Sequence, residues 1–320
     1  MKPGQRGAAL LTAMIIVTLV AALAGAMAWR QQRAIQVEAG ERARVQGAWM
    51  LQGALDWARL ILREDAFSNV SKQNWDHLGE PWAVPLAEAR LSTFLAARDG
   101  GNGGGGNSDD AGPEAFLSGL IEDAQARYNL RNLVGGPQVP ELEQRTLMRI
   151  CAFAGAPNGT ADLIIRQLRA ALATPRLEDA PLAPATIAQL SWFGVPPEIA
   201  AKLEPFLTLL PLVTPVNLNT APREVIAALF DDMDLASAER LVQARRSLPL
   251  ISTQDAVKYL PGNISIADTR ASVVSSFFYV TGRLRLDQHV LVQRSLLQRV
   301  GTNVLVLSRQ RVNEPAKSAP

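Results

Sequence analysis

From Ala8 to Ala28 the chain reads "AALLTAMIIVTLVAALAGAMA", 21 positions without a charge. As a helix this run would be about 31 Å long, the thickness of a bilayer's hydrocarbon core. Past Arg30 the pattern changes: Leu51, Leu55, Ala58 and Leu62 recur at i, i+4, i+7 and i+11, the spacing of one apolar helix face, and Val45, Ala48 and Trp49 extend that stripe upstream. No proline falls between Pro3 and Pro81. The two patterns therefore predict one helix from about Ala8 to Glu64, roughly 85 Å long. Its first half suits lipid and its second half suits packing on a globular head.

Beyond this helix, residues 67–97 mix proline, tryptophan and acidic residues, which predicts loops and short elements. Residues 100–106 hold six glycines in seven positions, a flexible low-complexity stretch. From about Gln138 to Gly262, short helical patterns are separated by proline, glycine and capping residues, among them "STQDAVKYLP". The chain then alternates. In "SSFFYVTGRLRL", Val280, Leu284 and Leu286 face one way and Thr281, Arg283 and Arg285 the other, the period of a half-buried strand. "HVLVQRSLLQRV" and "NVLVLSRQRV" continue that pattern, and the polar tail from Asn313 is predicted to be disordered.

Composition narrows the chemistry. A net charge of +2 gives no global field toward nucleic acid or acidic substrates. Cys151 is the single cysteine, so no intrachain disulfide can form, and beside Leu147, Met148 and Ile150 it reads as a buried thiol. His77 and His289 are isolated, which leaves a His/Cys metal site or a paired nucleophile without support. No catalytic residues are assigned. Trp49, Trp57, Trp75, Trp82 and Trp192 are expected to pack the head.

The N-terminus admits two fates. Lys2 and Arg6 followed by an apolar run and "AGAMA" before Trp29 fit a secretory signal cut at Trp29. Against this, the run exceeds the usual ~7–15-residue core, and the helical pattern continues through it. A short basic leader ending in Gly7, with an apolar helix that turns amphipathic and enters a head, resembles the type IV pilins and pseudopilins. That resemblance implies cleavage between Gly7 and Ala8 by a prepilin peptidase, methylation of Ala8, and a helix kept as anchor and assembly core. It implies a single pass in the bacterial inner membrane with the bulk of the chain in the periplasm.

Most pilin-like proteins carry glutamate at the fifth mature position, which here is Thr12. In that respect the chain is similar to the protein K family of minor pseudopilins of type II secretion, which cap the pseudopilus tip. Asn129-Leu130-Arg131-Asn132-Leu133, after "LSGLIEDAQARY", resembles the Asn-Leu-Asn-Asn-Leu pattern near the end of that family's strand segment, except at Arg131. The resemblance implies an α+β fold: a pilin-like long N-terminal helix packed on an antiparallel sheet, with a large inserted, mainly helical domain holding helix-hairpin-helix-like elements. The expected boundaries are a leader at 1–7, a membrane half at 8–28 and an amphipathic half at 29–65. The head begins at 66–137 with its glycine-rich loop at 100–107, is interrupted by the insert at 138–265 and ends in strands at 266–312, before the tail at 313–320. Thr12, Leu51, Leu55, Ala58 and Leu62 are the assembly candidates. The implied partners are two other minor pseudopilins, I and J, the prepilin peptidase and the inner-membrane assembly platform. Tip capping and initiation of pseudopilus assembly would need no catalysis.

A rival reading comes from "VNLNTAPREVIAALF" (216–230) and "LSWFGVPPEIAAKL" (190–203), which resemble helix-hairpin-helix modules of a membrane-tethered DNA receptor. The expected phosphate-gripping glycine loop is instead "FDDMDLAS", and residues 215–262 hold five Lys/Arg against six Asp/Glu. No nucleic acid is expected. The basic stretch 282–311 reads as a solvated sheet face. Asp109, Asp110, Glu122 and Asp123 are candidate oxygen donors for calcium, which members of the family can bind in the head, against the alternative of a solvated acidic loop. Asp231, Asp232 and Asp234 form a second such cluster.

Overall fold

The computed structural model describes residues 5–71, 75–91, 115–136, 138–173, 175, 178–261, 266–286 and 289–312. The glycine-rich stretch 100–107 and the tail 313–320 lie outside them.

Helix α1 (Gln5–Ser71) is one uninterrupted element of 67 residues, about 100 Å long. It outruns the sequence expectation at its C-terminal end because nothing in "DAFSNVS" stops it, and Ala66, four residues past Leu62, is still buried. In chain order the strands are β1 (Leu86–Arg90), β2 (Ala115–Asp123), β3 (Tyr128–Asn129), β4 (Leu207–Thr208), β5 (Val216–Asn217), β6 (Ala271–Ser272), β7 (Phe277–Leu286), β8 (His289–Val300) and β9 (Asn303–Val312). One sheet takes the order β1-β2-β7-β8-β9, antiparallel at every pairing. β3 with β4 and β5 with β6 form short parallel pairs.

The alternation read in β7 holds: Val280, Leu284 and Leu286 are buried while Thr281, Arg283 and Arg285 are partly exposed. On the face under α1, Leu55, Ala58 and Leu62 pack with Ile121, Phe278, Val280, Leu297 and Val304. Trp82 meets Phe278 edge-on at 5.3 Å, a favourable aromatic arrangement.

β2 and β7 are neighbours in the sheet although residues 124–276 separate them in the chain. That interval carries α2 (Glu141–Phe153), α3 (Thr160–Leu172), α4 (Pro197–Leu203), α5 (Arg223–Leu229) and α6 (Leu235–Ser247). They close on their own apolar core, which includes Leu147, Ile150, Ile164, Leu168, Leu203, Ile226 and Leu241. Two predicted helices tighten instead into 3-10 turns, Ile187–Phe193 and Thr253–Tyr259. In the first case Gly194 at φ 87° and the following Pro196–Pro197 end the helix before it can lengthen. Cys151 is buried as expected, and burial pushes its thiol up to about 12, which keeps it unreactive.

Two tryptophans depart from their expected packing. Trp49 is 73% and Trp192 52% exposed, whereas Trp82 is fully enclosed.

Candidate functional site

The N-terminal half of α1 stands clear of the rest of the chain. Its most apolar 18-residue window has a mean hydropathy of 2.4 and none of it is buried. One helix of this length and composition fits a single-pass membrane anchor. Gly7 and Ala8 lie in its first turn. The Thr12 hydroxyl donates to the Ala9 carbonyl at 2.9 Å, and Thr18 does the same to Ile15. Each hydroxyl is thereby satisfied inside its own helix, the only partner that hydrocarbon leaves available.

Above the anchor, Trp29, Ile35, Val37, Val45 and Trp49 are exposed. Leu51, Leu55, Ala58 and Leu62 are all buried, but against the chain's own sheet. They fix the helix to its head, so the surface of α1 open to a second helix is the exposed one. Val45 and Trp49 do not belong to the buried stripe. The position four residues before Leu51 is Gly47, which is itself buried, and an added Cβ there would strike Leu291 and crowd Leu284. A hydrophobicity pattern cannot show a glycine as a contact residue.

A polar seam joins the sheet to the helical region. Asp123, at the end of β2, is fully buried. Its Oδ2 accepts from Thr220 Oγ1 at 2.6 Å, Ser275 Oγ at 2.6 Å and Asn217 Nδ2 at 3.0 Å, and its Oδ1 accepts from the Gln125 amide at 2.7 Å. Burial nevertheless raises the carboxyl to about 6, since these bonds only partly replace water. Asn217 Nδ2 also reaches the Asp76 carbonyl at 3.1 Å. Arg299 of β8 extends the seam to α1: it donates to Asp76 at 2.6 Å and to Asp65 at 2.6 Å. Three further asparagines act as surrogate backbone. Asn132 exchanges amide bonds with Thr214 (2.9 and 3.1 Å), and Asn219 with Leu250 (2.9 and 2.9 Å). Asn129 accepts from Leu210 at 3.1 Å and donates to Leu212 at 2.7 Å. The paired asparagines of "NLRN" and "NLN" were the sequence signal for this seam; which loops they would clasp was not legible.

Of the calcium candidates, Asp109 and Asp110 lie outside the described residues. Glu122 and Asp123 are successive strand residues and so point to opposite faces. Glu122 pairs with Arg127 at 2.7 Å, while Asp123 is committed to the seam. A different trio, Asp65, Asp76 and Glu80, brings its oxygens within 4.8 Å of one another, with Arg299 already seated on two of them. Desolvation raises Glu80 to about 7, against bonds from the His77 amide (3.0 Å) and Trp82 Nε1 (2.6 Å).

The turn between α5 and α6 replaces the phosphate-binding glycine loop of the rival reading. Asp232 adopts φ 61° there, Asp231 is held by Arg145 at 2.7 Å, and Asp234 caps α6 through the Ser237 amide at 2.7 Å. The acidic cluster is thus spent on the turn's own structure.

The comparisons agree with this architecture. Residues 216–274, which begin at the seam strand β5, match the model of the family "Type II secretion system (T2SS), protein K". The chain is 28% identical to type II secretion system protein K of Pseudomonas aeruginosa, over 93% of this chain and 90% of that protein. It is 27% identical to the protein of the same name from Pectobacterium carotovorum subsp. carotovorum, over 97% of each. Its fold is similar to that of a chain in the crystal structure of the GspK-GspI-GspJ complex from enterotoxigenic Escherichia coli. The TM-score is 0.58 at 18% identity, and 86% of this chain covers 99% of that one. In sequence along nearly its whole length the chain is similar to type II secretion system protein K, and its fold is similar to that of the chain in the GspK-GspI-GspJ complex.

Proposed function

We propose that the chain is a non-catalytic minor pseudopilin of a type II secretion system that sits at the pseudopilus tip and starts its assembly with other minor pseudopilins. The observation that carries this is the division of α1: an uncharged, exposed stretch from Ala9 to Trp29 for membrane and partner helices, and a stretch from Gly47 to Ala66 whose one buried stripe packs on the chain's own head. Such a helix can be drawn from the bilayer into a bundle without unfolding the head. The similar chain of known structure comes from a complex named for three pseudopilin-type subunits, which supports packing with partners of the I and J kind. The helical region inserted between β2 and β7 adds bulk that favours a terminal position over stacking beneath further subunits.

In this role a prepilin peptidase cuts between Gly7 and Ala8 and Ala8 becomes N-methylated. The anchored chain then resides in the inner membrane with its head in the periplasm, within reach of the assembly platform. Thr12, self-satisfied within the helix, brings no carboxylate for a neighbour's N-terminus, as befits a subunit with nothing above it. The test is mass spectrometry of the N-terminal peptide from the host's membranes. An N-methylated Ala8 is expected, and a chain starting at Trp29 would overturn the proposal.

A further inference from the structure

Among the described residues, β9 is the outer strand of the sheet and pairs on one side only, with β8. Val300 and Asn303 close the β8–β9 hairpin around Gly301 and Thr302, so their pair carries ladder bonds and the alternation turns the main-chain groups of Val304 and Val306 outward. The Val304 carbonyl indeed accepts from Arg59 Nε at 3.1 Å and Nη2 at 3.0 Å, which caps the start of this edge. A bulge opposite Leu296 and Leu297 then shifts the parity by one residue. Beyond it, the outward main-chain groups belong to Arg309 and Arg311. Among the described residues, nothing else hydrogen-bonds to the outer edge from Leu305 to Val312.

The side chains along this edge differ by face. Arg309 and Arg311 lie opposite Ser295 and Gln293, on the α1 face, and both are exposed. Elsewhere in the sheet Arg285 pairs with Glu88, Arg294 with Glu204, and Arg299 with Asp65 and Asp76. Arg309 and Arg311 form no salt bridge among the described residues. Asp56 on α1 is influenced by Arg309 through space, without a salt bridge between them. On the opposite face β9 borders an open groove whose apolar wall includes Leu172, Pro184, Leu212 and Leu307. Leu212 is 56% and Leu307 41% exposed, so no element among the described residues covers this wall.

A strand added to β9 would direct alternate side chains to these two faces. We propose that β9 is a strand-addition edge for an extended segment of another protein in which acidic and apolar residues alternate. The acidic positions pair with Arg309 and Arg311, the apolar ones cover the Leu212–Leu307 groove, and the main chain completes the ladder. A second copy of β9 is disfavoured because arginine would then stand against arginine. The proposal is independent of the secretion role.

The test is hydrogen–deuterium exchange on the full-length protein in detergent micelles, with a short synthetic peptide alternating glutamate and valine. At saturating peptide, exchange over 305–312 is expected to slow by about tenfold or more, with β7 unchanged. The double variant Arg309→Glu/Arg311→Glu should lose this protection and gain it from a peptide alternating lysine and valine. Both arginines are exposed, so the variant should fold, and unchanged exchange in β7 would verify this. Unprotected 305–312 amides, or protection indifferent to the charge of either peptide or protein, would overturn the proposal.

Discussion

Gly47 of α1 lies so close to Leu291 of β8 that a Cβ on the glycine would overlap the leucine Cδ1. The contact marks where the helix meets the head. A second glycine serves the same crossing from the sheet side, since a Cβ on Gly282 would lie 3.1 Å from Leu51 Cδ2. Small residues at both points let the helix axis approach the sheet.

At Gly47 the two costs of a larger side chain can be separated. Gly47→Ala gains about 1 kcal/mol of helix propensity and displaces the flexible ends of Leu291 and, slightly, Leu284, so near-neutral stability is expected. Gly47→Leu must push the helix from the sheet and should lose about 1–3 kcal/mol through overpacking. Chemical unfolding in detergent checks both, and Leu291→Ala should partly rescue the leucine variant.

The buried stripe and the exposed one should respond differently to truncation. Leu62→Ala removes a side chain with no exposed surface and should cost about 2–5 kcal/mol. Trp49→Ala, on an exposed position, should leave stability of the isolated chain within about 0.5 kcal/mol. If Trp49 serves partner helices, its loss will show in co-purification with other minor pseudopilins instead.

The buried carboxyls should add stability as pH falls from 8 toward 5, offset in part by His77, whose imidazole is held by burial below its ordinary value. The carboxyls of Glu80 and Asp123 are raised to about 7 and about 6 by burial, from 4.5 and 3.8, and Asp65 is raised in the same direction. A raised carboxyl favours the protonated native state. Its contribution is full below the unfolded value and is lost as pH climbs through the folded one. Glu80→Gln should flatten the unfolding midpoint between about pH 5 and 7. A wild-type midpoint that stays level across that range would contradict the expectation.

Breaking the seam should loosen the helical region from the sheet. Asn217→Ala deprives the buried Asp123 carboxylate, Ser275 and the Asp76 carbonyl of one donor group, at a cost of about 1–3 kcal/mol. Limited proteolysis should then cut near residues 124–127 or 273–276 sooner than in the wild type.

At the N-terminus, replacing Gly7 should block processing and secretion, whereas Thr12→Glu should leave processing intact. N-terminal peptide masses and a secretion assay read the two variants separately.

The linear pattern alone determined the long helix, the buried face at Leu51, Leu55, Ala58 and Leu62, and the alternation of β7. All three follow from periods of 3.6 and 2 set by local backbone geometry. The family resemblance rests on Gly7, Thr12 and "NLRNL" matching that family's pattern, which local physical chemistry does not supply. Three features waited for the tertiary structure. Gly47 is a contact through the absence of a side chain, so no hydrophobicity scale could register it. Trp49 is exposed because the direction of the helix past Gly47, rather than its apolar content, decides what the sheet covers. The seam depends on Asp76, Asp123, Asn217 and Ser275, brought together across as many as 199 residues. Burying a charge there is tolerable only once all of its donors have arrived.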